Sequence, residues 1–250
     1  MNGRAEGHDT RLRISVVVPS WHDVENLATL LPVLSRLERV AETIVVDASG
    51  GGESERIALS CGSAFIVAPA PNRGEQLNLG AKAARGDVIV FQHSDTGLEN
   101  AHLLAIEVAL SDPQVIGGAF FRKFDGRHPR LMWLEAVARF LTRHGGTLYG
   151  DQSIFVRREV FTTLGGFAKI PIMEDVEFSR RLRTAGKIAV LDPPVQSSAR
   201  RHLRNGAWRT SIQNGLFILL YNLGVSPHRL HHWYYGATES TRERDALLLS

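Results

Sequence analysis

The sequence predicts an α/β fold in which a mostly parallel sheet is covered by helices on both faces. Three observations predict it. As far as residue 95, short apolar runs alternate with stretches that have helical spacing, in the order β-α-β-α-β-α-β. The apolar runs are continuous, which is typical of strands that are buried on both faces. A chain of 250 residues with 44% hydrophobic content also suits one α/β domain.

The first strand is predicted at 14–18, where the β-branched run ISVVV ends at Pro19. A helix is predicted over 24–40 because leucines recur there at helical intervals, at positions 27, 30, 31, 34 and 37. The apolar run TIVVD at 43–47 predicts the second strand. A glycine-rich turn and a helix ending near residue 60 follow it.

The next three elements complete the predicted alternation. AFIVAP, at 64–69, predicts the third strand. The small and polar stretch NRGEQLNLGAKAARG, at 72–86, predicts a helix that Gly86 closes. DVIVF, at 87–91, predicts the fourth strand.

The second half of the chain is less regular. Spacing predicts helices over 99–110, 129–142, 174–185 and 207–223, and strands over 115–124, 152–157 and 187–192. With no long linker or repeat, we expect one domain over 11–236. We expect flexible tails at 1–10 and 237–250.

Composition limits the cellular setting and the partners. No run approaches the roughly 20 apolar residues of a membrane span, and the polar start lacks a signal region. The single cysteine, Cys61, indicates a cytoplasmic setting. The formal charge of +3 gives no argument for nucleic acid. The local basic run comprises Arg200, Arg201, His202, Arg204 and Arg209. It fits a solvated face, a phosphate-bearing ligand or an anionic membrane surface.

Polar residues follow the predicted strands where a parallel sheet binds its ligands, beyond the carboxyl ends of the strands. Pro19 and Ser20 end the first strand, and Asp47 ends the second. Asp47 can accept hydrogen bonds from a ribose or a base edge, or it can cap its own loop. Neither the G-x-G-x-x-G nor the G-x-x-x-x-G-K-[ST] pattern occurs, which disfavours dinucleotide and P-loop sites.

The fourth strand runs directly into His93, Ser94 and Asp95. Asp95 is a hard oxygen donor that suits Mg²⁺ or Mn²⁺, and substrate phosphates commonly complete such a site. His93 can add a nitrogen ligand or donate to phosphate. The alternatives are that Asp95 caps the next helix and that His93 has no role in a site.

Five blocks of sequence together resemble the family 2 glycosyltransferases, in order and spacing over about residues 12–190. They are ISVVVPSWHDVENL, TIVVDAS, NRGEQLNLGAKAARGDVIVFQHSDT, GDQSIFVRREVFTTLGGF and MEDVEFSRRL. RTSIQNGLFILLYNLGVSP resembles a small bacterial subgroup associated with arsenosugar biosynthesis. The resemblance implies a GT-A nucleotide-diphospho-sugar transferase fold, a divalent metal and an inverting transfer from a nucleotide-diphosphate sugar, with a UDP-sugar as the expected donor.

The resemblance also implies roles for individual residues. It places the donor against Pro19, Ser20, Asp47, Asn72, Arg73, His93, Ser94 and Asp95. It places the metal at Asp95 with His93, where the family usually has Asp-x-Asp, and His202 is a further candidate ligand. It puts Asp151 and Gln152 on the side of a small-molecule or lipid-linked acceptor, and the Gly165–Phe167 loop under the donor sugar.

The general base that the resemblance implies is Asp175 of the Glu174–Asp175 pair. At about 100° per residue, both acids lie at the edges of an apolar stripe on the predicted helix, and Glu177 points away towards Arg180 or Arg181. The alternative is that these acids only complement the helix dipole.

Two other functions stay open at this point, besides a dehydrogenase or a methyltransferase, which the fold class alone would allow. One is a nucleotide-sugar binder without strong catalysis, because the metal motif has lost one aspartate. The other is a partner protein on the inner face of the membrane, because GLFILLYNLGV follows the basic run. The alternative for this stretch is a helix that packs in the core.

Overall fold

The computed structural model describes residues 11–124, 129–143, 145–197 and 207–235. The predicted tails at 1–10 and 237–250, and the candidate ligand His202, lie outside these ranges. The extent of the single domain therefore stays a prediction.

The first part of the chain builds the predicted alternation of strands and helices. Its strands are β1 (Ile14–Ser20), β2 (Val40–Asp47), β3 (Ala64–Val67) and β4 (Val88–Phe91), and its helices are α1 (Val24–Leu34), α2 (Glu53–Ser60), α3 (Arg73–Ala83) and α4 (Asn100–Leu110). The predicted extension of α1 to residue 40 is wrong. The helix ends at Leu34, just after Pro32, although Leu37 still packs against the core.

The second part adds three strands and five helical segments. They are β5 (Val115–Phe124), α5 (Pro129–Arg143), β6 (Ile154–Arg157), α6 (Arg158–Thr163), α7 (Glu174–Ala185), β7 (Lys187–Ser197), α8 (Ala207–Asn222) and α9 (227–235). The sequence predicted neither α6 nor α9. Gln152, the expected first residue of a strand, belongs instead to a 3₁₀ turn, Gly150–Gln152, that precedes β6.

The described strands form one seven-stranded sheet in the order β3-β2-β1-β4-β6-β5-β7. β6 runs antiparallel to both of its neighbours, and the other pairs are parallel. Two buried apolar clusters lie on the two faces of the sheet. One contains Val16 and Val18 of β1, and the other contains Val17. This alternation within β1 is what burial on both faces requires.

Helix α3 lies unusually close to the sheet because it carries Gly80. A Cβ atom at this position would stand 2.3 Å from a methyl carbon of Val17 and 3.1 Å from one of Val46. The glycine therefore lets α3 pack against β1 and β2, and this brings the first residue of α3, Arg73, to the carboxyl edge of the sheet. None of the helices in the described ranges is long and apolar enough to cross a membrane.

Candidate active site

A pocket opens at the carboxyl edge of the parallel strands, where the sequence predicted a site. Its empty space, including the open mouth, is about 260 Å³. The pocket is lined by Pro19, Arg73, Leu77, Phe91, Gln92, His93, Gly150, Ile154, Phe167 and Asp175. Residues of β1, α3, β4, β6 and α7 thus meet at this one point.

Arg73 is the centre of the pocket because its guanidinium contacts three predicted site residues. Nε donates to Glu174, Nη2 donates to Asp175 Oδ2 at 2.9 Å, and Nη1 lies 2.8 Å from His93 Nε2. Burial disfavours the charged guanidinium, but the two carboxylates outweigh it and raise the pKa of Arg73. The arginine thus ties the end of β4 to the start of α7.

The Glu174–Asp175 pair lies at the first turn of α7, as predicted, and its two carboxylates have different surroundings. The Glu174 side chain is 5% exposed and the Asp175 side chain is 15% exposed. Asp175 Oδ2 also accepts from Gly150 N–H at 2.8 Å, and its Oδ1 accepts from Val176 N–H at 2.8 Å. Oδ1 is therefore the oxygen with spare acceptor capacity. Glu177 pairs with Arg181 on the other side of the helix, as expected.

His93 is neutral and uses its lone pair on Arg73. A guanidinium can only donate, so His93 Nε2 must accept, and the ring proton then sits on Nδ1. Burial lowers the pKa of His93, and the charge of Arg73 lowers it further. His93 Nδ1 faces Asp95 Oδ1 at 3.9 Å. In this arrangement the imidazole has no free lone pair for a metal.

Asp95 and Ser94 follow β4 in an exposed loop. The Asp95 side chain is 40% exposed and accepts from Thr96 Oγ1 at 3.3 Å. It does not cap the next helix, since α4 begins at Asn100 with Glu99 as its N-cap. Ser94 donates to Asp23, a carboxylate that also accepts from Asn26 at 2.6 Å. No group of three or more His, Cys, Asp or Glu side chains able to hold a metal occurs within the ranges that the structure describes.

Two predicted donor residues, Asp47 and Asn72, are engaged within the protein. Asp47 is fully buried and accepts from Ser49 N–H at 2.8 Å and from Ser49 Oγ at 3.2 Å. This is the loop-capping contact that the sequence left open as the alternative. Asn72 caps α3 by accepting from Glu75 N–H at 3.0 Å. Their roles in binding a donor stay predictions.

The other two strand-end residues, Pro19 and Ser20, suit a ligand more directly. Pro19 lines the pocket. The buried Ser20 hydroxyl has no hydrogen-bond partner among the described residues. An unpaired buried hydroxyl costs free energy unless water or a ligand satisfies it, so Ser20 is available to a bound molecule.

The predicted acceptor residues lie in the 3₁₀ turn beside the pocket. Asp151 pairs with Arg122 of β5, and its Oδ1 is buried with no hydrogen-bond partner in the described part of the chain. Burial disfavours the Asp151 carboxylate, but Arg122 outweighs this and lowers its pKa. Gln152 is buried, and its side chain accepts a hydrogen bond from Tyr149 N–H at 2.8 Å, which lies within the same turn.

Buried amides hold the walls of the pocket together, and sequence reasoning missed them. Gln76 donates to the backbone oxygens of Ser20 at 2.7 Å and Val46 at 2.9 Å, which joins the ends of β1 and β2. Gln92 accepts from Ser153 Oγ at 2.7 Å. Asn78 holds both backbone groups of Phe167, at 2.8 and 2.9 Å, and so fixes the glycine loop against α3. Glutamine at an apolar position of a predicted element was the available signal.

Backbone strain is concentrated around this site. Three non-glycine residues in the described ranges have positive φ, namely His22 at 50°, Ser153 at 48° and Met173 at 70°. His22 follows β1, Ser153 follows the 3₁₀ turn and Met173 directly precedes Glu174. Such residues cost about 1–3 kcal/mol each and cluster at functional sites, which agrees with the position of the pocket.

The Arg73 pairing predicts a large effect on stability. Arg73→Met should lower the free energy of unfolding by about 3–5 kcal/mol, because the buried Glu174 carboxylate loses its ion-pair partner. Urea unfolding followed by circular dichroism measures this. Arg56→Met removes an exposed pair with Glu53 and should cost no more than about 1 kcal/mol. Adding Glu174→Gln to Arg73→Met should recover part of the lost free energy of unfolding. If Arg73→Met cost no more than Arg56→Met, the Arg73–Glu174 ion pair would not contribute the stability assigned to it.

Comparisons with known proteins agree with this fold. No protein-family model and no curated protein sequence matches the chain. Among solved structures, a mycobacterial protein is 24% identical with a TM-score of 0.53, and the match covers 75% of this chain and 65% of that one. The Pyrobaculum calidifontis mannosyltransferase PcManGT, in complex with GDP-Man and Mn²⁺, is 17% identical with a TM-score of 0.64, covering 90% of this chain and 70% of that one.

Residues 1–349 of S. aureus TarS are 16% identical with a TM-score of 0.62, over 91% of this chain and 73% of that one. TarS has also been solved with UDP-GlcNAc, and in that structure it is 19% identical with a TM-score of 0.59 over 75% of this chain and 58% of that one. What these low identities establish is the shared fold. The predicted fold class is thereby confirmed: the chain has a mostly parallel sheet flanked by helices, and it shares this fold with PcManGT and TarS.

Proposed function

We propose that this protein is an inverting glycosyltransferase that moves a sugar from a nucleotide-diphosphate donor, with a UDP-sugar as the first candidate, to an acceptor hydroxyl. The observation that carries the proposal is the Arg73 guanidinium, which joins the Glu174–Asp175 pair to His93 in one pocket. Support comes from the fold shared with PcManGT, solved with GDP-Man and Mn²⁺, and with TarS, solved with UDP-GlcNAc.

In this proposal Asp175 is the general base, and Oδ1 is the oxygen that takes the proton. Inverting transfer requires a base that removes the acceptor proton as the sugar is attacked. Oδ2 is held by Arg73 and Gly150, which fixes the carboxylate without using the last lone pair of Oδ1. Glu174 anchors Arg73 and so positions its neighbour.

The charge around the pocket supports a cation that arrives with the donor. Among the described side chains, Arg73 pairs with Glu174 and Asp175, and Arg122 pairs with Asp151. Asp95, beside His93, adds a fourth carboxylate. A diphosphate would add negative charge where carboxylates are already in excess, and this repulsion is strong in a partly buried site. A cation bound together with the donor would balance this charge.

The residues of the pocket can bind such a cation only if the phosphates of the donor supply some of its ligands. Asp95 is exposed and offers a hard oxygen, whereas His93 is committed to Arg73. Mg²⁺ and Mn²⁺ commonly combine one or two carboxylates with substrate phosphates and water. When bound, the metal supplies positive charge to the departing diphosphate. Asp95 would hold it, with His202 as a further candidate from the sequence.

The acceptor side of the proposal is the 3₁₀ turn. The unpaired Oδ1 of Asp151 can accept a hydrogen bond from an acceptor hydroxyl, and Gln152 keeps the turn in shape. Membership of the arsenosugar-associated subgroup and a cytoplasmic setting for the free Cys61 thiol are parts of the same proposal.

A thermal-shift screen of nucleotide sugars, with and without Mn²⁺, tests the proposal. At about 100 times the dissociation constant, a ligand that binds only the folded state should raise the melting temperature by about 5–10 °C. We expect the melting temperature to rise only when donor and Mn²⁺ are added together. If none of the nucleotide sugars raised it, the proposed function would be refuted. Donor hydrolysis separates the alternatives, because a binder without catalysis would show the shift but release no free sugar.

A further inference from the structure

The helices α5, α8 and α9 leave large apolar side chains in water. On α5, Met132, Trp133, Phe140 and Leu141 are between 55% and 61% exposed. Helices α5 and α8 pack against each other. Isolated exposed apolar residues are ordinary, but a group of them on adjoining helices marks an interaction surface.

On α8 the exposed residues form one stripe. Leu216 and Leu219 of α8, and Leu223 directly after its end, recur at i, i+3 and i+7 and are 50%, 54% and 72% exposed. The inner side of α8 is already occupied, since Phe217 is buried and its ring contacts Tyr234 of α9 with 5.4 Å between centroids. The helix therefore has two apolar sides, of which α9 covers the one that carries Phe217, while the side that carries the leucines is exposed. A helix that is apolar all round is normally buried.

The charge of the surrounding chain indicates what covers this side. From 193 to 238 the sequence contains no aspartate or glutamate, and it contains Arg200, Arg201, Arg204, Arg209 and Arg229. Arg229, at the start of α9, is exposed. Basic residues near an anionic lipid surface are attracted to it, and the burial of apolar side chains in the bilayer adds to the free energy of binding.

Aromatic residues complete the pattern at the end of α9. Trp233 and Tyr235 are 49% and 47% exposed. Tryptophan and tyrosine favour the boundary between lipid and water, because one part of each side chain is apolar and the other can hydrogen-bond.

We infer that the face formed by α5, α8 and α9 docks on the surface of an anionic lipid bilayer. The exposed leucines of α8 and the apolar residues of α5 enter the boundary between headgroups and acyl chains. The exposed Arg229 of α9 faces the lipid charges. A second copy of this chain would not give the same charge complementarity, because both copies carry the basic segment 193–238.

The face lies next to the proposed active site. Arg180 donates to Asn222 of α8 at 2.7 Å, and it stands six residues after Glu174 on α7, a separation of about 9 Å along the helix. The chain after α5 leads through 145–149 to Gly150, which bonds Asp175. Docking would therefore hold the acceptor side of the pocket near the lipid. That an acceptor attached to a lipid reaches Asp175 is a consequence that rests on the proposed function.

Vesicle cosedimentation tests the docking face without using activity. We expect the protein to sediment with vesicles of mixed phosphatidylglycerol and phosphatidylcholine at low salt. Binding should fall at moderate salt and with phosphatidylcholine alone, because the charge attraction is screened or absent. Leu219→Ser with Leu223→Ser should weaken binding about ten-fold or more, and Met132→Ser with Leu141→Ser should act in the same direction.

Matched controls make the result decisive. Leu59 and Val108 are 59% and 65% exposed on α2 and α4, away from the face, so Leu59→Ser with Val108→Ser should bind vesicles like the wild type. Melting temperatures within a few degrees of the wild type would show that each variant is folded. Equal binding by all variants, or no binding by the wild type, overturns the inference. So does a dimer in sedimentation equilibrium that the α8 variant converts to monomer.

The thermal-shift response to donor and Mn²⁺ separates this inference from the proposed function. The α8 variant should keep the full response, because its changed residues lie outside the pocket. If the protein bound vesicles but its melting temperature did not respond to any donor, the docking face would be supported and the proposed transferase function would be refuted.

Discussion

Asp175→Asn should reduce the turnover number for sugar transfer by about 10³, within the range that removal of a general base usually gives. Asparagine has the size of aspartate, and its carbonyl oxygen can still accept from Arg73 and Gly150, so the pocket should keep its shape. What asparagine lacks is the ability to take the acceptor proton. Steady-state kinetics with saturating donor measures the change.

Donor affinity provides the second readout for the same variant. The substitution removes one negative charge from a pocket in which carboxylates are in excess, so the donor should bind as tightly as before or more tightly. Isothermal titration with the nucleotide sugar and Mn²⁺ tests this. A merely structural role of Asp175 would instead weaken binding and lower the melting temperature together.

Glu177→Gln is the matched control, since Glu177 lies two residues further along α7 and pairs with Arg181 outside the pocket. Its turnover number should stay within about two-fold of the wild type, because the half-buried Glu177–Arg181 pair does not line the pocket. An Asp175→Asn variant that keeps more than about a tenth of the wild-type turnover would exclude this residue as the base.

The sequence predicted the parts of the fold that depend on local pattern. The β-branched runs and the leucine spacing located β1 to β4 and α1 to α4, and α7 was predicted over the residues that form it. The end of α1 was misplaced because Leu37 keeps the helical spacing although it packs from a turn. The 3₁₀ turn at 150–152 was missed because Gln152 looked like the first residue of the following strand, whereas its side chain accepts a hydrogen bond from Tyr149 N–H and holds the turn.

The sequence predicted which residues form the candidate site, but it did not predict the hydrogen bonds and ion pairs among them. Strand ends pointed to His93 and Asp95, and the resemblance added Arg73 and the acid pair. That one guanidinium contacts Glu174, Asp175 and His93 depends on packing between α3 and α7, which are separated by 101 residues at the Arg73–Glu174 contact. Long-range contacts of this kind leave no periodic signal in the sequence.

The metal requirement can be assigned to one ligand by comparing two neighbouring substitutions. Chelation of divalent ions by EDTA should reduce transfer by at least about 10³, and added Mn²⁺ should restore it, because the pocket otherwise repels the diphosphate. Asp95→Asn should raise the Mn²⁺ concentration for half-maximal activity by about ten-fold or more. A neutral amide is a poorer ligand than a carboxylate for a hard cation.

His93→Gln should leave that Mn²⁺ concentration nearly unchanged. The lone pair of His93 Nε2 is used by Arg73 at 2.8 Å, and the amide oxygen of glutamine can accept the same bond. Titration of activity with Mn²⁺ in both variants distinguishes the two roles. If His93→Gln raised the Mn²⁺ requirement as much as Asp95→Asn does, the imidazole would have to leave Arg73 to bind the metal. If transfer continued at full rate in EDTA, Asp95 would have no cation to hold, and basic side chains of the protein would have to balance the diphosphate.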